Sequence, residues 1–150
     1  MPVPEKVVDR GGKAFGEVDF RAADHIEVVV NGTDVVRIGR EHFEGRGEGA
    51  SPRLVGTGDG VFAGKRVTTI DGIDVGEVWE VVRGEGGRME ALVVGGGGEE
   101  RPSAVPLRFV REVSAHIILE PSAGELEAAQ RDARRSPAVA AALRRAAKRG

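Results

Sequence analysis

The residue types that most often carry chemistry are sparse and scattered in this chain. The three histidines, His25, His42 and His116, stand alone. None has a second histidine or an HxxE-type partner at helical spacing, so they give no metal site. The serines show no G-x-S-x-G nucleophile elbow, and the chain has no cysteine for thiolate chemistry or zinc ligation. We therefore expect no catalytic residues, no metal ligands and no enzymatic activity.

Two further segments could hold a ligand by composition. The glycine run at residues 95–98 could cradle a phosphate, but no Lys-Ser/Thr pair and no helix pattern follow it. Asp71 and Asp74 could open a calcium loop, but the twelve-residue ligand series that ends in Glu is absent. A hairpin loop and ordinary turn chemistry explain these residues, and we expect no bound cofactor.

The elements that must position these residues repeat along the chain. Segment 6–18 returns as segment 66–78. Five positions are identical: Val7/Val67, Gly12/Gly72, Gly16/Gly76, Glu17/Glu77 and Val18/Val78. A repeat of this period indicates a repeated structural unit. We expect Gly12 and Gly72 to lie in turns, and Gly16 and Gly76 to lie in strands at positions that tolerate no side chain.

Each copy has the pattern of a small β unit. Residues 26–30 are typical of a strand, with Ile26, Val28 and Val30 on one face and Glu27 on the other, and Asn31-Gly32 predicts a type I′ hairpin turn. Residues 45–52 are a glycine-rich breaker. Short strands with glycine-rich turns favour a closed or nearly closed barrel, which hides strand edges. The predicted organisation is a first unit at residues 1–58, a second at 59–121 and a helical tail at 122–150.

The second unit resembles the PRC-barrel domain family. The residues that carry the resemblance are Gly64-Lys65-Arg66-Val67, Asp71-Gly72, Val75-Gly76-Glu77-Val78, the apolar run 89–94, Val105-Pro106 and Val110-Arg111-Glu112-Val113. The first unit is a more distant match, with Gly39 where the pattern has proline. The resemblance implies two small PRC-barrel-like β-barrels in tandem, in a mainly β protein with a short α-helical C-terminal tail. It also implies adaptor roles, as in the photosynthetic reaction centre H subunit and a ribosome maturation factor, and no catalytic residues.

The tail carries the most uneven charge. Residues 121–150 hold seven basic and three acidic residues, a net +4, while the whole chain is −2. Ser122 and Glu125 form a capping-box pattern, and Ser136-Pro137 begins a second helix. That helix has a thin apolar stripe that includes Leu143. The basic residues form either a solvated helical face or an arm that binds an anionic partner.

These observations favour a non-enzymatic adaptor or scaffold that binds a protein partner or a second copy of itself. The alternative is a module that binds RNA or an anionic membrane surface through the basic tail. The candidate partner-binding residues are Trp79, Leu143, Arg134, Arg135, Arg144, Arg145, Lys148 and Arg149. Trp79, the only tryptophan, is also explained as a core residue. Without a signal sequence, a membrane-length apolar run or cysteine, we expect a cytoplasmic protein.

Overall fold

A computed structural model describes residues 5–44, 52–96 and 101–149, without the side chain of Arg149. Most of the breaker predicted at 45–52 and half of the loop predicted at 95–98 lie outside these residues. The protein is mainly β, with two helices near its C-terminal end. It divides into two compact units. The first comprises Met1–Val61 and Glu112–Ser114, and the second comprises Phe62–Arg111 and Ala115–Gly150.

The first unit is built on a four-stranded antiparallel meander. The meander consists of β1 (Lys6–Val8), β2 (Ala14–Arg21), β3 (His25–Val30) and β4 (Asp34–Gly39). Two short strands follow it in the unit, β5 (Phe43–Glu44) and β6 (Arg53–Leu54). A 3-10 turn (Arg40–His42) follows β4, and β6 returns parallel to β1. Residues 112–113 pair parallel with β4. Alternate residues of β3 and β4 form the core: Ile26, Val28, Val30, Val36 and Ile38 are fully buried.

The Asn31-Gly32 turn between β3 and β4 has the geometry that the dipeptide predicts. Both residues have positive φ, 58° for Asn31 and 80° for Gly32. The Thr33 N–H donates to the Val30 carbonyl oxygen at 3.3 Å, which closes the turn. Asparagine and glycine tolerate this left-handed backbone at little cost, so the prediction is confirmed.

The second unit has the same order of elements. Its strands are β7 (Arg66–Thr68), β8 (Asp74–Arg83), β9 (Met89–Gly95), β10 (Ser103–Pro106) and β12 (Ile117–Leu119). Strand β11 (Val110–Val113) begins in this unit, and its last two residues belong to the first unit. Strands β7 to β10 form an antiparallel meander, a 3-10 turn (Leu107–Phe109) follows β10, and β12 returns parallel to β7. Two helices complete the unit, α1 (Ala123–Ala133) and α2 (Pro137–Arg149).

The first hairpins of the two units share one register. Val7 pairs with Gly16 and Val67 pairs with Gly76, and in both hairpins the register shifts directly after the valine. The turn glycines sixty residues apart also agree, with φ of 84° at Gly12 and 83° at Gly72. A second register shift occurs at the same place in β2 and β8. The repeat in sequence is therefore also a repeat in hairpin geometry.

The two 3-10 turns start from residues of different type but similar backbone. Gly39 has φ −59° and ψ 148°, and Pro106 has φ −57° and ψ 136°. Proline fixes φ near this value, whereas glycine reaches it freely. Gly39 therefore gives the first unit the same backbone path into its 3-10 turn that Pro106 gives the second unit.

The helical segment set apart as a tail in the sequence packs on the sheet of the second unit. Residues from α2 join a buried cluster with residues from β8, β9 and β10. The cluster contains Val82, Ala91, Val93, Ala104, Val139, Ala142 and Ala146. Strands that are apolar on both faces need a cover on both sides, and α2 supplies one cover here. Neither described helix has the length and hydropathy that crossing a bilayer requires.

Candidate binding cleft of the second unit

The second unit contains a cleft of about 460 Å³ between α1 and the ends of three strands. The start of β8, the end of β9 and the start of β10 form one wall, which includes Ile73, Val75 and Val94. The other wall is α1, which is anchored by the buried side chain of Leu126. Clefts of this size are typical of ligand-binding sites.

The turn between β7 and β8 holds the first turn of α1 in place. The hydroxyl of Thr69, only 2% exposed, donates to the carboxylate of Asp71 and accepts the Ile73 N–H at 3.0 Å. The Asp71 carboxylate also accepts the backbone N–H of Ala123 at the start of α1. The Thr69 hydrogen bond, with help from backbone N–H groups, holds the pKa of Asp71 below its usual 3.8.

Ser122 and Glu125 do not form the capping box that the sequence predicts. Ser122 is the N-cap residue of α1, but its side chain makes no hydrogen bond to a backbone N–H. Its hydroxyl donates to Glu125 Oε1 at 3.1 Å instead. Asp71, from a distant turn, therefore takes the acceptor role that the N-cap side chain usually has.

Three guanidinium groups line the cleft. Arg131 lies in the last turn of α1, Arg134 is the C-cap residue that follows it, and Arg101 precedes β10. All three are exposed, and none has a hydrogen bond or an ion pair with another described residue. Glu127 also lines the cleft. The remaining carboxylate, Asp74, forms an ion pair with Arg66.

A polar contact crosses the cleft floor. Gln130 Nε2 on α1 donates to Ser103 Oγ on β10 at 3.1 Å. Strand β10 is the last strand of its meander, and α1 packs against it. Cover by a helix is one of the ways in which proteins protect a strand edge. The contact fixes the separation of the two walls at this point.

The structure places the two apolar candidates of the sequence, Trp79 and Leu143, on the same buried cluster. Both are partly buried and pack against the residues shared by α2 and the sheet. Trp79 lies at the register shift in β8. Its ring covers Gly95 so closely that a Cβ there would come within 2.5 Å of Trp79 Cη2. Both residues thus contribute to packing between helix and sheet.

The basic candidates are distributed over different surroundings. Only Arg134 lines the cleft. Arg135 pairs with Asp132 at 3.5 Å, and Arg145 pairs with Glu80 of β8 at 2.7 Å. Arg144 and Lys148 are exposed on α2, and the side chain of Arg149 lies outside the described residues.

Sequence reasoning did not select Arg101, Gln130, Arg131 or Ser103. Spacing contains part of the signal, because Gln130, Arg131 and Arg134 fall on neighbouring rows of one helix. Nothing local marks Arg101 or Ser103 as their neighbours.

The histidines lie apart from the cleft. His25 Nδ1 is 2.7 Å from Asp24 Oδ1, and this hydrogen bond lowers the pKa of Asp24. His42 Nε2 is 3.3 Å from the carbonyl oxygen of Ser114, and His116 is exposed. Within residues 5–44, 52–96 and 101–149, no three His, Asp or Glu side chains are grouped so that they could hold a metal ion.

A meander with a shifted register, a 3-10 turn and a strand that returns parallel to the first together define a small β domain. Residues 62–126 match the PRC-barrel domain family, so a PRC-barrel domain is present in the second unit. This confirms the resemblance seen in the sequence over residues 61–121. The match ends at Leu126, inside α1. No curated protein is significantly similar to the chain in sequence.

Proposed function

We propose that this chain is a non-enzymatic adaptor that binds a protein partner through the cleft of its second unit. The observation that carries the proposal is the mixed character of the cleft and its border. Ile73 lines the cleft and is 52% exposed, and Ile70, on the same turn, is 49% exposed. Exposed apolar side chains beside cationic ones are typical of surfaces that bind other proteins.

The proposal includes a tandem arrangement, in which the first unit is a diverged PRC-barrel-like unit. The shared hairpin register supports this. So does the end of each 3-10 turn, where the carbonyl oxygen of His42 accepts the Val55 N–H and that of Phe109 accepts the Glu120 N–H. Two similar modules in one chain suit a scaffold that holds a partner at more than one point.

The alternative, a basic tail for RNA or an anionic membrane, has less support from the side chains of α2. The apolar face of α2 is buried on the sheet, and Arg145 is engaged by Glu80. In the described part of this helix, Arg144 and Lys148 are the exposed cations without an ion pair. A cytoplasmic location and self-association remain part of the adaptor proposal.

The test is a pull-down from a lysate of the source cell, with and without nuclease. Wild type is compared with Ile73→Asp, and Val35→Asp is the matched control because Val35 is similarly exposed, at 49%, on β4. A protein captured after nuclease treatment by wild type and Val35→Asp, but not by Ile73→Asp, supports the proposal. Captured material that is nucleic acid, or that is lost on nuclease treatment, contradicts it and favours the alternative.

A further inference from the structure

Two of the three arginines that line the cleft lie outside the matched family domain. The match ends at Leu126, whereas Arg131 in the last turn of α1 and Arg134 at its C-cap follow it; Arg101 lies within the match. The strand wall of the cleft therefore comes from the matched domain, and two of the three arginines come from residues that follow the match.

The charges lining the cleft leave a cationic excess. Among the lining residues that the structure describes, Asp74 is paired with Arg66, which leaves Glu127 as the unpaired carboxylate beside three guanidinium groups. Elsewhere on the same helical segment, Arg135 and Arg145 have acidic partners. Guanidinium groups recognise carboxylates and phosphates through charge-assisted, often bidentate hydrogen bonds. The missing partner in the cleft is therefore an anion.

The shape and apolar lining favour a peptide carboxylate. Ile73, Val75 and Val94 offer apolar contacts opposite the arginines. An extended peptide sends successive side chains to opposite sides, so it can present acidic groups to α1 and apolar groups to the strands. Single-stranded nucleic acid usually stacks its bases on aromatic rings, and no aromatic side chain lines the described cleft.

We infer that the cleft binds an extended acidic segment of the protein partner, with Arg101, Arg131 and Arg134 recognising its carboxylates. This inference rests on the proposed function, because it names the chemistry of the partner at the same cleft. Arg131 and Arg134 supply charge from one helix face, and Ile73 supplies the apolar contact that fixes the direction of the segment.

The test is fluorescence anisotropy with labelled peptides of about ten residues, long enough to span the cleft when extended. One peptide alternates glutamate with leucine, and its matched control alternates glutamine with leucine. We expect the acidic peptide to bind and its affinity to fall as salt rises. The double variant Arg131→Gln/Arg134→Gln should weaken binding about tenfold, since each exposed charge pair contributes little alone.

The matched protein control is Arg144→Gln/Lys148→Gln, which removes the same charge from exposed positions of α2. It should bind the acidic peptide like wild type. The inference is overturned if both double variants lose affinity equally or if the glutamine peptide binds as well as the acidic one. Failure of the acidic peptide to bind at about 1 mM would overturn it too. The inference is also overturned if a single-stranded RNA of equal length binds more tightly, with the same dependence on the arginines. The group that the arginines recognise would then be a phosphodiester, not a carboxylate.

The pull-down separates this inference from the proposed function. If the captured protein is lost with Ile73→Asp but retained by Arg131→Gln/Arg134→Gln, the adaptor proposal stands and the acidic-segment inference is wrong. If no protein is captured by wild type, the adaptor proposal itself fails. Circular dichroism of each variant shows whether it is folded, and glutamine is chosen because it is a good helix former.

Discussion

The carboxylate of Asp71 accepts the backbone N–H of Ala123, which joins the turn between β7 and β8 to the first turn of α1. A carboxylate at a helix N-terminus satisfies an otherwise orphan N–H and interacts favourably with the helix dipole. Both walls of the cleft meet at this contact, because Ile73 lies on the same turn and α1 carries the arginines. The geometry of the cleft therefore depends on one anionic side chain.

Asp71→Asn should destabilise the protein at neutral pH, and the difference from wild type should disappear in acid. The pKa of Asp71 is lowered in the folded state, first by the Thr69 hydrogen bond. Its stabilising contribution is complete above the unfolded pKa, near 3.8, and is lost as pH falls through the lower folded pKa. Urea unfolding of both proteins from pH 7 down to pH 3 or below measures this. Asp19→Asn, at an exposed position of β2, is the control for the loss of a surface carboxylate.

Gly76→Ala should lower the free energy of unfolding by about 1–3 kcal/mol. Gly76 has φ of 133°, which L residues rarely adopt, and a Cβ there would lie 2.6 Å from the carbonyl oxygen of Gly95. Gly56→Ala is the control, because a Cβ at Gly56 meets nothing within 4 Å and its φ is not positive. Equal melting curves for the two variants would show that β8 and β9 relax around the new methyl group.

Gly95→Ala should displace the indole of Trp79 and change its fluorescence. The added Cβ would meet three ring atoms of Trp79, the only tryptophan in the chain. We expect a shifted emission maximum and a loss of about 1–3 kcal/mol. In a double-mutant cycle, Trp79→Phe should reduce the cost of Gly95→Ala, since the smaller ring leaves room for the methyl group. Additive costs would mean that the two residues are not in contact.

Ala142→Asp should destabilise the protein by about 3 kcal/mol or more, because it buries an unpaired charge between α2 and the sheet. Ala147→Asp is the control, since Ala147 is exposed on the same helix. The sequence alone set residues 122–150 apart as a tail, and a truncation after residue 120 tests whether the strands need it. The buried cluster now predicts that this truncation lowers the melting temperature, because Val82, Ala91 and Val93 lose their cover. An unchanged melting temperature after the truncation would show that the sheet does not need the helices as a cover.

Local chemistry was readable from the sequence, and contacts between distant segments were not. The Asn31-Gly32 turn follows from two residues that tolerate positive φ. The PRC-barrel domain follows from an ordered set of short motifs. Asp71, however, was assigned to its own turn, and its bond to Ala123 depends on where α1 docks. The docking of α2 was equally hidden, because an apolar stripe of valine and alanine does not show which sheet it covers.

Membership of residues 112–114 in the first unit has a consequence for synthesis of the chain. Val113 pairs with Ile38 of β4, yet the ribosome makes it only after most of the strands of the second unit. N-terminal domains usually fold first as they emerge during translation. Here the edge of β4 that pairs with residues 112–113 stays unpaired by them until those residues have been synthesised. A truncated protein that ends at residue 61 therefore lacks residues 112–114, and with them the pairing of Glu112 and Val113 on β4.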